Sequence, residues 1–234
     1  MDLTSKISLA TAIIEFIVVA WAYFKFERTP LSNLVVSLLI ILGLAQFCEY
    51  ELCISKNYLL WGKLGFIIYT IIPSLVLFYA ISTVKKKKYY WLFLPYLGFV
   101  LTAIIKKGFV LVGECHFSLS FVVTAFYLDY NNTILSIFNF IYIASFSMLS
   151  GLILLNGAKI TNNIYEKKIY YLIGASIAFS FLLPLAIIII WADLRLYFPS
   201  IIGRCLTSYL FTGIISLYLE QKIIEQTKIK NPEY

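Results

Sequence analysis

Residues 31–53 read LSNLVVSLLIILGLAQFCEYELC and residues 58–82 read YLLWGKLGFIIYTIIPSLVLFYAIS. Neither run alternates like a strand, and each is too long and too apolar for one face of a soluble domain. A bilayer core about 30 Å thick is crossed by roughly 17–25 apolar residues at about 1.5 Å each. Both runs meet that length. Working outward, five more segments do so: Ile7–Phe24, Tyr89–Ile105, Ile134–Leu155, Ile169–Trp191 and Ser200–Leu219. The composition agrees. Hydrophobic residues are 61% and charged residues 13%, against roughly 45–50% and 25% in soluble proteins. A soluble globule, a disordered chain, a collagen-like repeat and a disulfide-dense secreted scaffold are all excluded. The expected fold class is an all-α integral membrane protein, a single domain over 1–234 built as a seven-transmembrane-helix bundle in the lipid bilayer.

Polar punctuation separates the segments. Lys25–Asn33 carries charges and Pro30, Lys85–Lys88 is a sharp stop, and Asn156–Lys168 ends in Glu166-Lys167-Lys168. Ala20-Trp21-Ala22 imitates a signal-peptidase site. The first run is nevertheless long and its leader holds Asp2 rather than a basic cluster, so it reads as a retained helix. Orientation follows from lysine and arginine. With the N-terminus outside, 12 of the 19 basic residues fall on the cytoplasmic side and 7 on the outer side. N-out and C-in is therefore expected, in the cell membrane, with a short cytoplasmic tail over 220–234. The net charge of +7 sits in short loops, where it meets anionic lipid. No long basic face exists for a duplex, so nucleic acid is not an expected partner.

The longest outer connection, 108–132, is not polar. Phe109–Val112 and Phe117–Thr124 are β-branched and aromatic, with Gly113 and Glu114 between them. This predicts an extracellular β-hairpin between helices four and five, in preference to a short interfacial or re-entrant helix. Asn131-Asn132-Thr133 fits a glycosylation acceptor.

Ionisable residues inside a membrane segment are costly and usually face the bundle interior. Counted along each helix, Glu15 lies about 12 Å deep, Glu49 about 6 Å, Lys63 about 7.5 Å and Arg204 about 6 Å. All four fall in the outer half. Equal depth predicts a Glu49–Lys63 pair, and a closed ring of helices predicts a Glu15–Arg204 pair. Together with His116 they form the candidate ligand-binding set, an outward-facing polar pocket for a small polar or acidic ligand. Structural ion pairs and snorkelling are the other readings of the same charges. Cys53 ends the second helix and Cys115 lies in the large loop, both outside, where a disulfide and two free thiols are both open. Cys115-His116 is not a catalytic pair, because such partners meet in space rather than in sequence. His116 also titrates near neutrality. Four scattered cysteines without C-x-x-C and one histidine offer no metal site. No cofactor is expected, and no catalytic residue is assigned. Tyr89, Tyr90 and Trp91 read as an interfacial belt, and Pro184 as a kink in helix six.

Trp61-Gly62-Lys63-Leu64 opens the third helix, with Pro73 further along. Cys115-His116-Phe117 falls in the long outer loop, Phe198-Pro199-Ser200 introduces the last helix and Tyr218-Leu219-Glu220 ends it. In this order the chain resembles the N-terminal seven-transmembrane sensor region of certain prokaryotic histidine kinases. The sequence to Tyr234 leaves no room for an ATP-binding domain, so kinase activity is not expected to carry over. The resemblance implies a receptor or sensor without its usual output domain, signalling through a separate cytoplasmic protein. Two other functions remain open: a transporter or transporter-accessory subunit, and an integral-membrane enzyme acting on a lipid or lipid-linked substrate with Glu15, Glu49 and His116 as acid–base groups. A familiar retinal photoreceptor is excluded, because Ser200–Leu219 holds no lysine for a Schiff base.

Overall fold

The computed structural model describes residues 3–55, 57–106, 109–112, 126–128, 133–190, 205 and 207–230. Seven α-helices lie among them: α1 (Leu3–Lys25), α2 (Pro30–Ile54), α3 (Tyr58–Val84), α4 (Leu94–Ile105), α5 (Thr133–Ile160), α6 (Ile164–Ile190) and α7 (Ser208–Lys230). A short 3-10 turn, Tyr90–Phe93, leads into α4. Local chemistry sets the starts. Thr29 caps α2 by a reciprocal pair of bonds with Ser32, with Pro30 in the first turn, so orphan amides at that end are satisfied. Asn163 Oδ1 accepts from the amides of Tyr165 and Glu166 and starts α6.

Among the described residues four helices are long and apolar enough to cross a membrane: Ser5–Lys25, Pro30–Ile54, Tyr58–Val84 and Ile137–Ile160. The fourth expected span is different. Tyr89–Ile105 becomes the 3-10 turn plus a 12-residue α4, which rises only about 18 Å. α5 and α6 extend past their apolar stretches, so the expected loop 156–168 shrinks to residues 161–163. The expected tail is helical up to Lys230.

α2 is the hub. It packs on α1, α3 and α7, while α5 lies on α3 and α6, and α6 on α7. The ring thus closes through α2 against α7, with α1 and α4 on its outside. α1 also meets α7, where the Trp21 and Tyr218 rings stand 6.1 Å apart, and residues 191–204, which include the start of the expected last span, lie outside the described residues. Small residues make the closure possible. A Cβ on Gly213 of α7 would stand 2.9 Å from Val35 of α2, and one on Gly157 of α5 would stand 2.6 Å from Val84 of α3. Lipid supplies no hydrophobic drive between helices, so close packing of this kind holds them. The faces turned away from the ring stay apolar, with Phe24 and Ile105 as exposed examples.

The tight hairpin expected about Gly113 is not formed by the described residues. Val110–Val112 pairs antiparallel with Phe126–Leu128, in the register Val112↔Phe126. We name these β1 and β2. β1 packs on α3, and the Phe66 and Phe109 rings meet edge to face at 5.6 Å. The run 117–124 lies outside the described residues.

At the end of the bundle carrying the α1–α2 turn, α7 is fastened to that turn. Thr29 donates to Glu220 at 2.6 Å, Lys228 pairs with Glu27 at 2.6 Å, and the rings of Phe26 and Tyr218 meet at 5.2 Å. Glu220 lies just past the apolar stretch of α7. Burial pushes its carboxyl above the ordinary glutamate range, partly offset by the Thr29 hydrogen bond. A carboxyl raised in the folded state binds its proton more tightly there than in the unfolded chain. Its effect is therefore most favourable at low pH and is lost as pH rises through the raised value. Melting curves taken from about pH 4 to about pH 8 should show wild type losing stability relative to Glu220→Gln as pH rises. Parallel curves for the two proteins would refute the assignment.

Candidate functional site

The polar interior begins on α1. Ser5, Ser8, Ala12, Glu15 and Ala22 are buried, and their spacing of three, four and seven puts them on one stripe. That stripe faces α2, where Phe16 seats its ring on Gly43, 3.0 Å from an ideal Cβ. This contact aligns the two helices one residue after Glu15 on α1 and three residues before Gln46 on α2. Gln46 and Glu49 stand three residues apart on α2. Glu15, Gln46 and Glu49 are all at 0% exposure.

Glu49 does not pair with Lys63. Tyr69 Oη of α3 donates to Glu49 Oε1 at 3.1 Å, and no Glu49–Lys63 ion pair occurs among the described residues. The cause is the lean of helical side chains toward the N-terminus of their own helix. α3 begins at the α2–α3 turn, so Lys63 in its second turn leans out toward that end and stays half-buried. Tyr69, six residues deeper, leans the same way and carries its phenol up to Glu49. α2 ends at that turn, so Glu49 leans down into the bundle. Cα positions at equal depth therefore hold charges at different depths. Sequence reasoning also missed Gln46, which is uncharged. Its only sequence signal was the three-residue spacing to Glu49 within an apolar helix.

A second polar group lies alongside on α3 and α5. Ser74 Oγ lies 2.7 Å from the Leu92 carbonyl oxygen and 2.7 Å from Tyr142 Oη. Tyr142 Oη donates to the Thr70 carbonyl at 2.8 Å. Asn139, one turn before Tyr142, is buried as well. Below both groups the bundle turns apolar. Leu38, Leu39 and Leu42 of α2, Val76 and Leu77 of α3, Leu154 of α5 and Leu217 of α7 belong to one core cluster on the α1–α2 side. The buried polar side chains of this part are hydroxyls, such as Ser150 of α5 and Ser216 of α7.

Arg204, His116 and Cys115 lie outside the described residues, and with them the expected Glu15–Arg204 pair. Cys53 is disulfide-bonded, whereas Cys48 and Cys205 are free thiols. Among the described residues no three His, Cys, Asp or Glu side chains gather as a metal site would require. Chemically, two buried carboxyl groups, an amide and a phenol can hold a proton, a cation or the donor groups of a small polar molecule.

No family model, no curated protein and no solved structure matches the chain.

If Tyr69 supports Glu49, Tyr69→Phe should cost about 1–3 kcal/mol, the loss that follows when a buried group forfeits a hydrogen bond. Lys63→Ala should stay within about 0.5 kcal/mol, as for an ordinary surface substitution. Thermal melting in detergent checks both, and the reverse ranking would restore the Glu49–Lys63 pair.

Proposed function

We propose that the chain is a multi-pass membrane sensor that takes a small polar ligand at the Glu15–Gln46–Glu49 layer and passes the signal to a separate cytoplasmic protein. The observation supporting this reading is the one-sided placement of the buried acids and amide: Glu15, Gln46 and Glu49 have no solvent exposure and lie at one end, with a largely apolar core behind them. A site closed on its far side suits binding better than passage, which argues against the transporter reading. Charged and polar groups are costly in lipid and are retained where they serve a structural or functional purpose. The resemblance to sensor regions of histidine kinases supports the same reading, with Trp61-Gly62-Lys63-Leu64 in the first turns of α3 and Pro73 within it. In this proposal the carboxyl groups and the amide hold the ligand's donors. Arg204 on the last span holds an acidic group, and His116 lies at the outer mouth.

The proposal includes seven spans in the cell membrane with the N-terminus outside. Two observations support that orientation. Basic residues are biased 12 to 7 toward the opposite end. Cys53, in the last turn of α2, is disulfide-bonded, and disulfides persist in oxidising compartments. In this proposal its partner is Cys115, which lies outside the described residues.

Two experiments test these parts separately. In intact cells, an impermeant thiol reagent should label a cysteine introduced at Ser55 and should not label one introduced at Lys86. The opposite pattern would invert the topology. A thermal-shift screen of the purified chain against small amines, amino acids and organic acids should find a ligand that raises the melting temperature. That rise should vanish in Gln46→Leu and in Glu49→Gln. A shift that survives both substitutions, or no shift across the screen, would remove the receptor reading.

A further inference from the structure

The tertiary structure gathers lysines that the sequence scatters. α3 ends at Val84, whose side chain reaches Gly157 in the last turns of α5; the Tyr170 ring of α6 meets the same glycine at 3.3 Å from an ideal Cβ. Three segments therefore share one corner. The turn after α3 brings Lys85, Lys86, Lys87 and Lys88, the end of α5 brings Lys159, and the start of α6 brings Lys167 and Lys168. All but the half-buried Lys167 are exposed. No ion pair engages any of the seven among the described residues. The carboxylate of this corner, Glu166, is occupied by the hydroxyls of Thr161 and Tyr170. Lys86 holds φ at 51°, a left-handed conformation that glycine adopts freely and lysine does not. A charged residue thus stands where an uncharged one would fit the backbone better.

We infer that this corner binds the headgroup of an anionic phospholipid. Apolar side chains decide for lipid over a soluble anion. Trp91 is 60% exposed beside the four-lysine turn and Ile160 is 76% exposed beside Lys159, with Tyr90 and Ile164 exposed next to them. Ammonium groups interleaved with exposed aromatic and aliphatic surface match the boundary between headgroup and acyl chain. Basic clusters at the ends of membrane helices recognise anionic headgroups in this way. The inference rests on membrane embedding and is independent of the ligand proposed for the Glu15–Glu49 layer.

The test uses the full chain in detergent micelles, titrated with short-chain phosphatidylglycerol, short-chain phosphatidylcholine or inorganic phosphate, and read by native mass spectrometry and melting temperature. Phosphatidylglycerol should bind at least about tenfold more tightly than phosphatidylcholine, given the contribution of each lysine near an anionic surface. That preference should weaken with added salt. Replacing Lys85 to Lys88 together with glutamine should abolish most of it. The triple change Lys159→Gln, Lys167→Gln and Lys168→Gln, which leaves the α3 turn intact, should reduce it. Lys6→Gln, at the opposite end, should leave it unchanged. Equal affinity for the two lipids, or a preference that survives both lysine sets, overturns the inference. Inorganic phosphate displacing the lipid at equal concentration would overturn it in favour of a soluble-anion site.

Discussion

The cost of a polar group in hydrocarbon governs this molecule. Water cannot reach the helix faces that meet lipid, so every carboxyl, amide and hydroxyl in the apolar zone must turn inward or find a backbone carbonyl. Isolated hydroxyls do the second. Thr11, Thr70, Thr102 and Ser145 each donate to the carbonyl four residues earlier. The larger polar groups do the first. Glu15, Gln46 and Glu49 are fully buried, and Tyr69 reaches Glu49 from α3. Since the buried acids and the amide Gln46 sit toward one end, the other half of the ring packs as a largely apolar core, in which the buried polar side chains are hydroxyls such as Ser150 and Ser216.

This separation makes the two ends chemically different. One end holds acids without solvent exposure, a bonded cysteine at the close of α2, and a strand seated on α3. The other holds exposed lysines, and a last helix fastened to the α1–α2 turn by Thr29–Glu220 and Glu27–Lys228. α2 connects them physically. Its C-terminal turns carry Gln46 and Glu49, its second turn meets α7 where Val35 packs on Gly213, and its cap residue Thr29 holds Glu220. A ligand at the first end that shifted α2 would therefore bear directly on α7. A ligand shifts such an equilibrium only by binding two arrangements unequally.

Helix direction accounts for the partners that form. Side chains lean toward the start of their own helix, so antiparallel neighbours lean in opposite senses. Residues at equal Cα depth on α2 and α3 separate, and residues several positions apart meet. Glu49 and Tyr69 meet for this reason while Lys63 leans away. The same rule makes depth counted along one helix a poor guide to contacts across two.

The sequence by itself determined that the chain belongs in lipid, where most of its helices run, and which ionisable residues sit in the apolar zone. These follow from run length, composition and local chemistry: 61% hydrophobic residues, Pro30 behind the Thr29 cap, and polar stops such as Lys85–Lys88. Such properties depend on near neighbours, which the order of residues displays. Tertiary structure decided the rest. It closed the ring between α2 and α7 because Gly213 admits Val35. It paired Val110–Val112 with Phe126–Leu128, a choice that the β-prone run in between obscured. It gave Glu49 the Tyr69 phenol where the Lys63 ammonium was expected, and it assembled one basic corner from two separate turns. Each of these depends on helix direction, rotation and close approach, which a one-dimensional pattern of hydropathy does not contain.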